Sequence, residues 1–263
     1  GNHGICTQGV NPFPQEVTAQ MVANFTTGGA AINQLCKVSG AELDVVPLSL
    51  EIPTANFVEQ EALTEDELCS VISAGAQAVN LDTDILLLGE MGIGNSTVSS
   101  ALAASVFGGD VARWVGPGTG SDEAGIARKQ AVIELGLKKH GRRTGLSALL
   151  AFGGREQAAI CGAVLAARMA RIPVILDGFI CSAAAAPLFG MAPNSLDHCL
   201  VGHVSAEPGH KHLLAAMGKL AILQLDMRLG EGTGAAVALS VLRGAVACHN
   251  QMATFESAGI AGA

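Results

Sequence analysis

Apolar residues along the chain fall into two rhythms. Short apolar runs with little polar alternation occur at Leu43–Leu50, Asp84–Glu90, Ala148–Gly153, Pro173–Phe179 and His198–Val204, several ending in glycine beside a polar residue. Runs of this kind predict strands buried on both faces, as in a parallel sheet. The intervening stretches are longer and have helical character, and they predict helices over Pro14–Leu35, Thr64–Val79, Asn95–Phe107, Ser121–His140, Arg155–Arg171 and His210–Leu223. The alternation predicts an α/β fold: an open parallel sheet with flanking helices, Rossmann-like and three-layered. After Val204 the strands are expected to run out and helices to dominate, most clearly over Thr233–Asn250. Thr64 and Glu67 have the spacing of a capping box, and Pro173 is placed to stop the helix before its strand. Pro53–Leu63 is the most loop-like interior stretch, and no repeat or low-complexity linker interrupts the chain.

Composition sharpens this picture. The 263 residues are 49% hydrophobic and 14% charged, enough apolar material for one sizeable core and incompatible with disorder. A net charge of −8 argues against nucleic acid as a partner, since a polyanion needs a basic footprint. Apolar stretches such as Ala183–Met191 are broken by Pro and Gly well before the roughly 20 residues of a membrane span, so no membrane association is expected. Seven scattered cysteines with no C-x-x-C pair read as small core residues in a reducing, cytoplasmic compartment, neither a disulfide framework nor a zinc site. No signal peptide is recognised, and the opening Gly1-Asn2-His3-Gly4 reads as the loop after a strand that the chain itself does not contain.

Five glycine-containing segments carry the candidate chemistry. Gly89-Glu-Met-Gly-Ile-Gly-Asn-Ser-Thr97 follows an apolar run and opens a helix, with glycines that admit an anion to backbone N–H groups and with Asn95, Ser96 and Thr97 as side-chain donors. It matches neither G-x-G-x-x-G nor a P-loop, so a phosphate cradle and a plain strand–turn–helix corner both stay open. Val115-Gly-Pro-Gly-Thr-Gly-Ser121 is a second such loop, with Lys129 two turns into the next helix, either reaching back to a phosphate or standing in solvent. Asp177 in Leu176-Asp-Gly-Phe179 and Ser205 in His203-Val-Ser-Ala-Glu-Pro-Gly-His210 stand at carboxyl ends of strands, where open parallel sheets bind ligands. The histidines nearby lack metal-ligand spacing, so no metal is expected. In Arg228-Leu-Gly-Glu-Gly-Thr-Gly-Ala235 a single carboxylate, Glu231, lies between two glycines before an apolar helix, which suits a general base that meets its ligand directly as well as a helix-start glutamate.

GEMGIGNST, VGPGTG, LDGF, GHVSAEPGH and MRLGEGTGAA, together with the N-terminal HGI, PQEVTAQMVANF and GGAAINQL, occur in an order and at separations that resemble the nicotinate-nucleotide–dimethylbenzimidazole phosphoribosyltransferase family over essentially the whole chain. The resemblance implies a six-stranded parallel sheet with a smaller helical domain, and a homodimer. It implies transfer of phosphoribose from nicotinate mononucleotide to 5,6-dimethylbenzimidazole, with inversion at the anomeric carbon and no cofactor. Residues 1–209 would form the phosphoribosyl-binding domain, and residues 210–263 would contribute to the small domain. Glu231 would be the catalytic base, and Glu90, Phe13, Met21, Met91 and Leu229 would line the base pocket. Gly92, Asn95, Ser96, Thr97, Gly116, Gly118, Lys129, Asp177, Gly178 and Ser205 would hold the phosphate, ribose and nicotinate. Members carry several tens of residues before the HG turn that this sequence lacks, so an inactive fragment is an alternative expectation. Phe13 and Met21, placed on the first helix, are apolar where some members are polar, which leaves the identity of the base open.

The chemistry agrees with the residues. A pyridinium is already a cationic leaving group, so expelling it needs neither a general acid nor a metal, and one carboxylate suffices to take the azole proton. A nucleotide-dependent oxidoreductase would instead show G-x-G-x-x-G with an acidic residue about 20 positions on, and no such set is present. A non-catalytic nucleotide-binding module would keep the glycine loops without needing Glu231, and a structural protein would need neither.

Overall fold

The computed structural model describes residues 1–261. Its core is a parallel sheet of four strands in the spatial order β1 (Leu86–Leu88), β2 (Val174–Leu176), β3 (Cys199–His203) and β4 (Ala221–Leu223), with Leu86 opposite Val174, Val174 opposite Cys199 and Val201 opposite Ala221. Each crossover is helical, as parallel pairing requires. The chain passes from β1 to β2 through α4 (Asn95–Phe107), α5 (Glu123–His140), α6 (Leu146–Phe152) and α7 (Arg155–Ala170), from β2 to β3 through α8 (Phe179–Met191), and from β3 to β4 through α9 (Pro208–Met217). Before β1 come α1 (Glu16–Thr27), α2 (Ala31–Ser39) and α3 (Glu65–Gln77). The last helix, α10 (Thr233–Gln251), packs against β3 and α2. The α/β class is thus present, with four of the six strands that the resemblance implied among the described residues.

Three expected strands are realised, and two are not. Leu146–Phe152 is a buried helix: Leu and Ala dominate it, no β-branched residue favours extension, and apolar runs this short do not separate the two states by periodicity. Leu43–Leu50 forms no ladder; Pro47 lacks a donor, and a cavity separates the segment from the edge of β1. Strand β4 lies where a helix to Leu223 was expected. Gly218 ends α9 in the left-handed conformation at φ 63°, and Lys219 then donates from Nζ to the carbonyls of Leu196 and Cys199 at 2.6 and 2.7 Å, tying the turn to the foot of β3. The single helix expected over Pro14–Leu35 is two, broken at Gly28 with φ 80°. Helix α8 escaped notice because it is apolar on every face, which removes the periodic signal and marks a buried helix.

Local signals hold where side chains satisfy helix ends. Thr64 Oγ1 accepts from the Glu67 N–H at 3.2 Å, and the Glu67 carboxylate accepts from the Thr64 N–H at 2.9 Å. Helix α7 stops at Ala170, with Arg171 in the left-handed region just before Pro173. The main core joins α3 to α9 around Phe57, Leu102, Trp114, Ile133, Leu149, Phe152 and Phe179. All seven cysteines are free thiols; Cys36, Cys161, Cys181 and Cys199 are buried as expected, whereas Cys69 and Cys248 are exposed and Cys6 is half-buried. No helix among the described residues is long and apolar enough to cross a membrane.

Helices α3 and α7 approach so closely that a β-carbon on Gly162 would overlap the Ile72 carbonyl, and one on Gly75 the Ala159 carbonyl. Backbone on the far side cannot yield as a side chain would. Gly162→Ala is therefore expected to destabilise the protein by about 1–3 kcal/mol, the usual cost of overpacking, measured as a shift in the urea midpoint with unchanged slope. An unchanged midpoint would show that the crossing is loose.

Candidate active site

The carboxyl ends of β1, β2 and β3 carry the glycine loops picked out by sequence, and the turn before α10 closes over them. After β1, Glu90 projects its carboxylate to the Asn95 side-chain amide at the start of α4, and its carbonyl accepts from the Glu231 N–H at 3.2 Å. Gly230, Glu231 and Gly232 are all left-handed, with φ of 84°, 65° and 86°. Glu231 is one of few non-glycine residues in that region, where an L side chain costs roughly 1–2 kcal/mol. Thr233 holds the turn by donating from N and Oγ1 to the Gly230 carbonyl at 3.1 and 2.8 Å. A side chain at Gly89 would run into the Gly232 backbone, so the two loops touch main chain to main chain. Beside Glu231 lies a second apolar cluster, in which Met21 and Met91 pack with Phe25, Ile32 and Leu35.

A second group of residues surrounds Lys129, which is 3% exposed. Its ammonium donates to Ser96 Oγ and the Gly116 carbonyl, both at 3.3 Å, while a β-carbon at Gly118 would lie 3.0 Å from the same Ser96 oxygen. The lysine therefore reaches back to both glycine loops and is not a solvated surface residue. Thr97, next to Ser96 in the chain, is fully buried and its hydroxyl has no hydrogen-bond partner, whereas Gly92 lies apart from this group, against Glu156 and His3. The Gly118 N–H donates at 2.8 Å to Glu207, which sequence reasoning passed over. Glu207 was legible only as an acid ahead of Pro208 within a loop at a strand's carboxyl end.

Asp177 ends β2 and is 2% exposed; its Oδ1 accepts from the Ala235 N–H at 2.8 Å. Gly178 leans on the buried His203 ring, and Ser205 donates its N–H to His210 Nδ1 at 2.9 Å. Two expected base-pocket residues stand apart: Phe13 precedes α1 instead of lying on it and is 46% exposed, and Leu229 is 52% exposed. A cavity of about 1530 Å³ has Glu90, Met91 and Glu231 among its lining residues and continues along the β1 edge past Leu43–Leu50; neither Lys129 nor Ser205 lines it. Sequence reasoning also missed the His3–Glu156 ion pair at 2.6 Å, whose two partners come from segments 153 positions apart.

Burial governs the charges. It raises Glu90 to about 8, with Asp177 and Glu156 adding repulsion and Asn95 opposing it. Burial lifts Asp177 to about 6 against the pull of the Ala235, Gly234 and Gly232 N–H groups. Glu231 is raised above the ordinary carboxylate range by burial and held back by the Ile32 N–H at the start of α2. Glu156 goes the other way: burial would raise it, but chiefly His3 holds it down at about 2. Lys129 is lowered by burial, with Glu207 opposing. Along this sheet edge, then, burial makes Glu90, Asp177 and Glu231 weaker acids and Lys129 a weaker base than they are in water.

An open parallel sheet with a buried lysine between two glycine loops at one end of its carboxyl edge, and a carboxylate beside an apolar cluster at the other, has the form of an α/β protein with its ligand site at the strand ends. A family model described as "Phosphoribosyltransferase" matches residues 1–260. Over 260 residues the chain is 60% identical to a nicotinate-nucleotide–dimethylbenzimidazole phosphoribosyltransferase of Rhodobacter capsulatus, covering 99% of this chain and 78% of that protein. It is 56% identical to the enzyme of the same name from Roseobacter denitrificans over 262 residues, with the same coverage. Among solved structures, CobT from Thermus thermophilus superposes with a TM-score of 0.89 at 38% identity, covering all of this chain and 85% of that one. The chain belongs to the nicotinate-nucleotide–dimethylbenzimidazole phosphoribosyltransferase family and is a phosphoribosyltransferase.

The raised Glu90 has a consequence for stability. Its folded pKa of about 8 exceeds the ordinary 4.5, so the fold favours the protonated form. That contribution is complete below pH 4.5 and is lost as pH rises toward 8 and above. Glu90→Gln, neutral at every pH and still able to accept from Asn95, is expected to leave the melting temperature nearly unchanged at pH 5 and to raise it by several degrees relative to wild type at pH 9. Differential scanning calorimetry at the two pH values checks this; an equal offset at both would mean that Glu90 titrates normally.

Proposed function

We propose that the protein transfers phosphoribose from nicotinate mononucleotide to 5,6-dimethylbenzimidazole, giving α-ribazole 5′-phosphate and nicotinate, with Glu231 as general base. One observation carries the reading: a carboxylate of raised basicity is held in a strained turn beside an apolar cluster, with one oxygen, Oε2, buried and unpartnered. The apolar cluster suits a flat methylated azole, and the free oxygen suits its N–H. The relatives of the same name support the choice of both substrates.

In this mechanism the glycine loops and Lys129 anchor the 5′-phosphate, with Gly92, Asn95, Ser96, Thr97, Gly116 and Gly118 around it and Gly178 and Ser205 toward the ribose and nicotinate. Anchoring at the remote phosphate supplies the orientation that makes the displacement effectively unimolecular. The unprotonated azole nitrogen attacks the anomeric carbon on the face opposite nicotinate, which inverts the centre. The bond to the pyridinium nitrogen breaks, and its electron pair cancels the pyridinium charge. The proton on the other azole nitrogen passes to Glu231, whose raised pKa makes it a better acceptor near neutrality. Glu90 borders the same recess.

The protein is read as a cytoplasmic homodimer. Val241 and Val246 on α10, with Met252, Phe255 and Ile260 beyond it, are exposed apolar side chains that contact with a second copy would shield from water. Light scattering is expected to return twice 26.6 kDa at micromolar concentration, and a mass near 26.6 kDa would overturn this.

Glu231→Gln is expected to bind the nucleotide normally while turnover falls by about two to four powers of ten, the usual worth of a positioned general base. Product mass and released nicotinate measure this. A variant keeping more than about a tenth of wild-type turnover would leave Glu231 without the base role. Lys129→Ala should raise KM for the nucleotide more than it lowers kcat, and activity should persist in chelator. A rise confined to kcat would place the phosphate elsewhere.

A further inference from the structure

The bonds from Thr233 to Gly230 and from Glu231 to Glu90 hold the three left-handed residues from one side, and they leave the N–H groups at the start of α10 still to be satisfied. Gly232, the residue before α10, has no side chain to cap the helix, so its first N–H groups need an acceptor from elsewhere. That acceptor is Asp177, whose Oδ1 takes the Ala235 N–H at 2.8 Å, with the Gly234 and Gly232 N–H groups pulling on the same carboxylate. Asp177 is itself fixed at both main-chain groups: its N–H donates to the Leu88 carbonyl and its carbonyl accepts from the His203 N–H, each at 3.2 Å. Asp177 is therefore pinned between the ends of β1 and β3, and its carboxylate cannot follow the turn if the turn moves. At 2% exposure it is also poorly placed to meet a ligand. The His203 ring, Nε2 3.9 Å from Oδ1, closes its other side, and burial holds that ring below its usual pKa, so the Asp177 charge is met chiefly by helix N–H groups.

We infer that Asp177 is a positioning residue for Glu231: by capping α10 from the end of β2 it fixes the Gly230–Glu231–Gly232 turn and aims the Glu231 carboxylate at the acceptor base. The inference rests on the reading of Glu231 as general base. A caged helix start makes physical sense here, because the left-handed Glu231 would relax by rotating its backbone, and a rotation of that kind moves the carboxylate by an ångström or more. Misplacement on that scale costs about 100-fold in rate. An aspartate suits the task because a carboxylate accepts several N–H bonds at once and its charge complements the helix dipole.

Asp177→Asn tests this, since the amide keeps the shape but turns donor hydrogens toward N–H groups that need an acceptor. The expected result is a fall of about 100-fold in kcat with KM for nicotinate mononucleotide changed by less than about threefold. Combined with Glu231→Gln, the Asn substitution should cost little more than Glu231→Gln alone, because a residue acting through Glu231 has nothing left to position. Hydrogen exchange gives an independent reading: the amides of Gly232–Ala235 should exchange faster in Asp177→Asn while those of α4 do not. A raised KM with kcat retained would make Asp177 a nucleotide contact and overturn the inference, as would multiplied losses in the double variant or unchanged exchange at Gly232–Ala235. If Glu231→Gln alone stays active, the base assignment fails, and the exchange measurement still decides whether Asp177 holds the turn. Asp177→Ser, whose hydroxyl accepts one of the bonds, serves the same comparisons if the Asn variant unfolds at assay temperature.

Discussion

The site depends on one close joint, where the main chain of the Gly230–Gly232 turn rests on the loop after β1. Glu231 donates its N–H to Glu90, and Gly89 leaves no gap between the two backbones. Two glutamates separated by 141 positions in the chain thereby share one recess. A side chain at Gly89 would wedge the joint open, and any residue but glycine at 230 or 232 would strain a turn that already carries one unfavourable residue. The glycines around Glu231 thus serve geometry first: they bring the turn that carries it down onto the loop after β1.

That closeness shapes the electrostatics. Glu90, Asp177, Glu207 and Glu156 crowd the same sheet edge as Lys129; burial raises the first three, with neighbouring carboxylates adding repulsion at Glu90 and Asp177 and Lys129 opposing at Glu207, while the His3 pair lowers the fourth. At one end of this acidic edge the buried Lys129 ammonium donates to Ser96 Oγ and the Gly116 carbonyl, which makes the edge electrostatically uneven. The asymmetry fits a ligand with an anionic tail and a reacting centre that carries positive charge. The chain's overall negative charge is consistent with a small-molecule ligand recognised by local dipoles rather than by a broad basic surface.

Much of the fold was legible because burial and capping are local rules. The capping box at Thr64 and Glu67, the helix from Asn95 to Phe107 and the strands at Leu86, Val174 and Cys199 follow from residues close in sequence. The errors share a cause. Leu146–Phe152 and α8 are apolar throughout, and an apolar run carries no period from which to choose helix or strand; the neighbours choose. Strand β4 has only three residues, and it is defined by its ladder with β3 more than by its own composition.

The candidate site divides in the same way. By itself the sequence determined the class of fold, the glycine loops at strand ends, the lysine that serves them and the lone glutamate between two glycines, because each is written in residue types a few positions apart. Only the tertiary structure decided that Lys129 is buried against both loops, that Glu207 takes the Gly118 N–H, that Phe13 and Leu229 stand out in solvent, and that the Asp177 carboxylate is spent on the start of α10. Those contacts join segments tens of residues apart, and the direction of a side chain across such a contact is set by which backbone donors the packed sheet leaves without a partner.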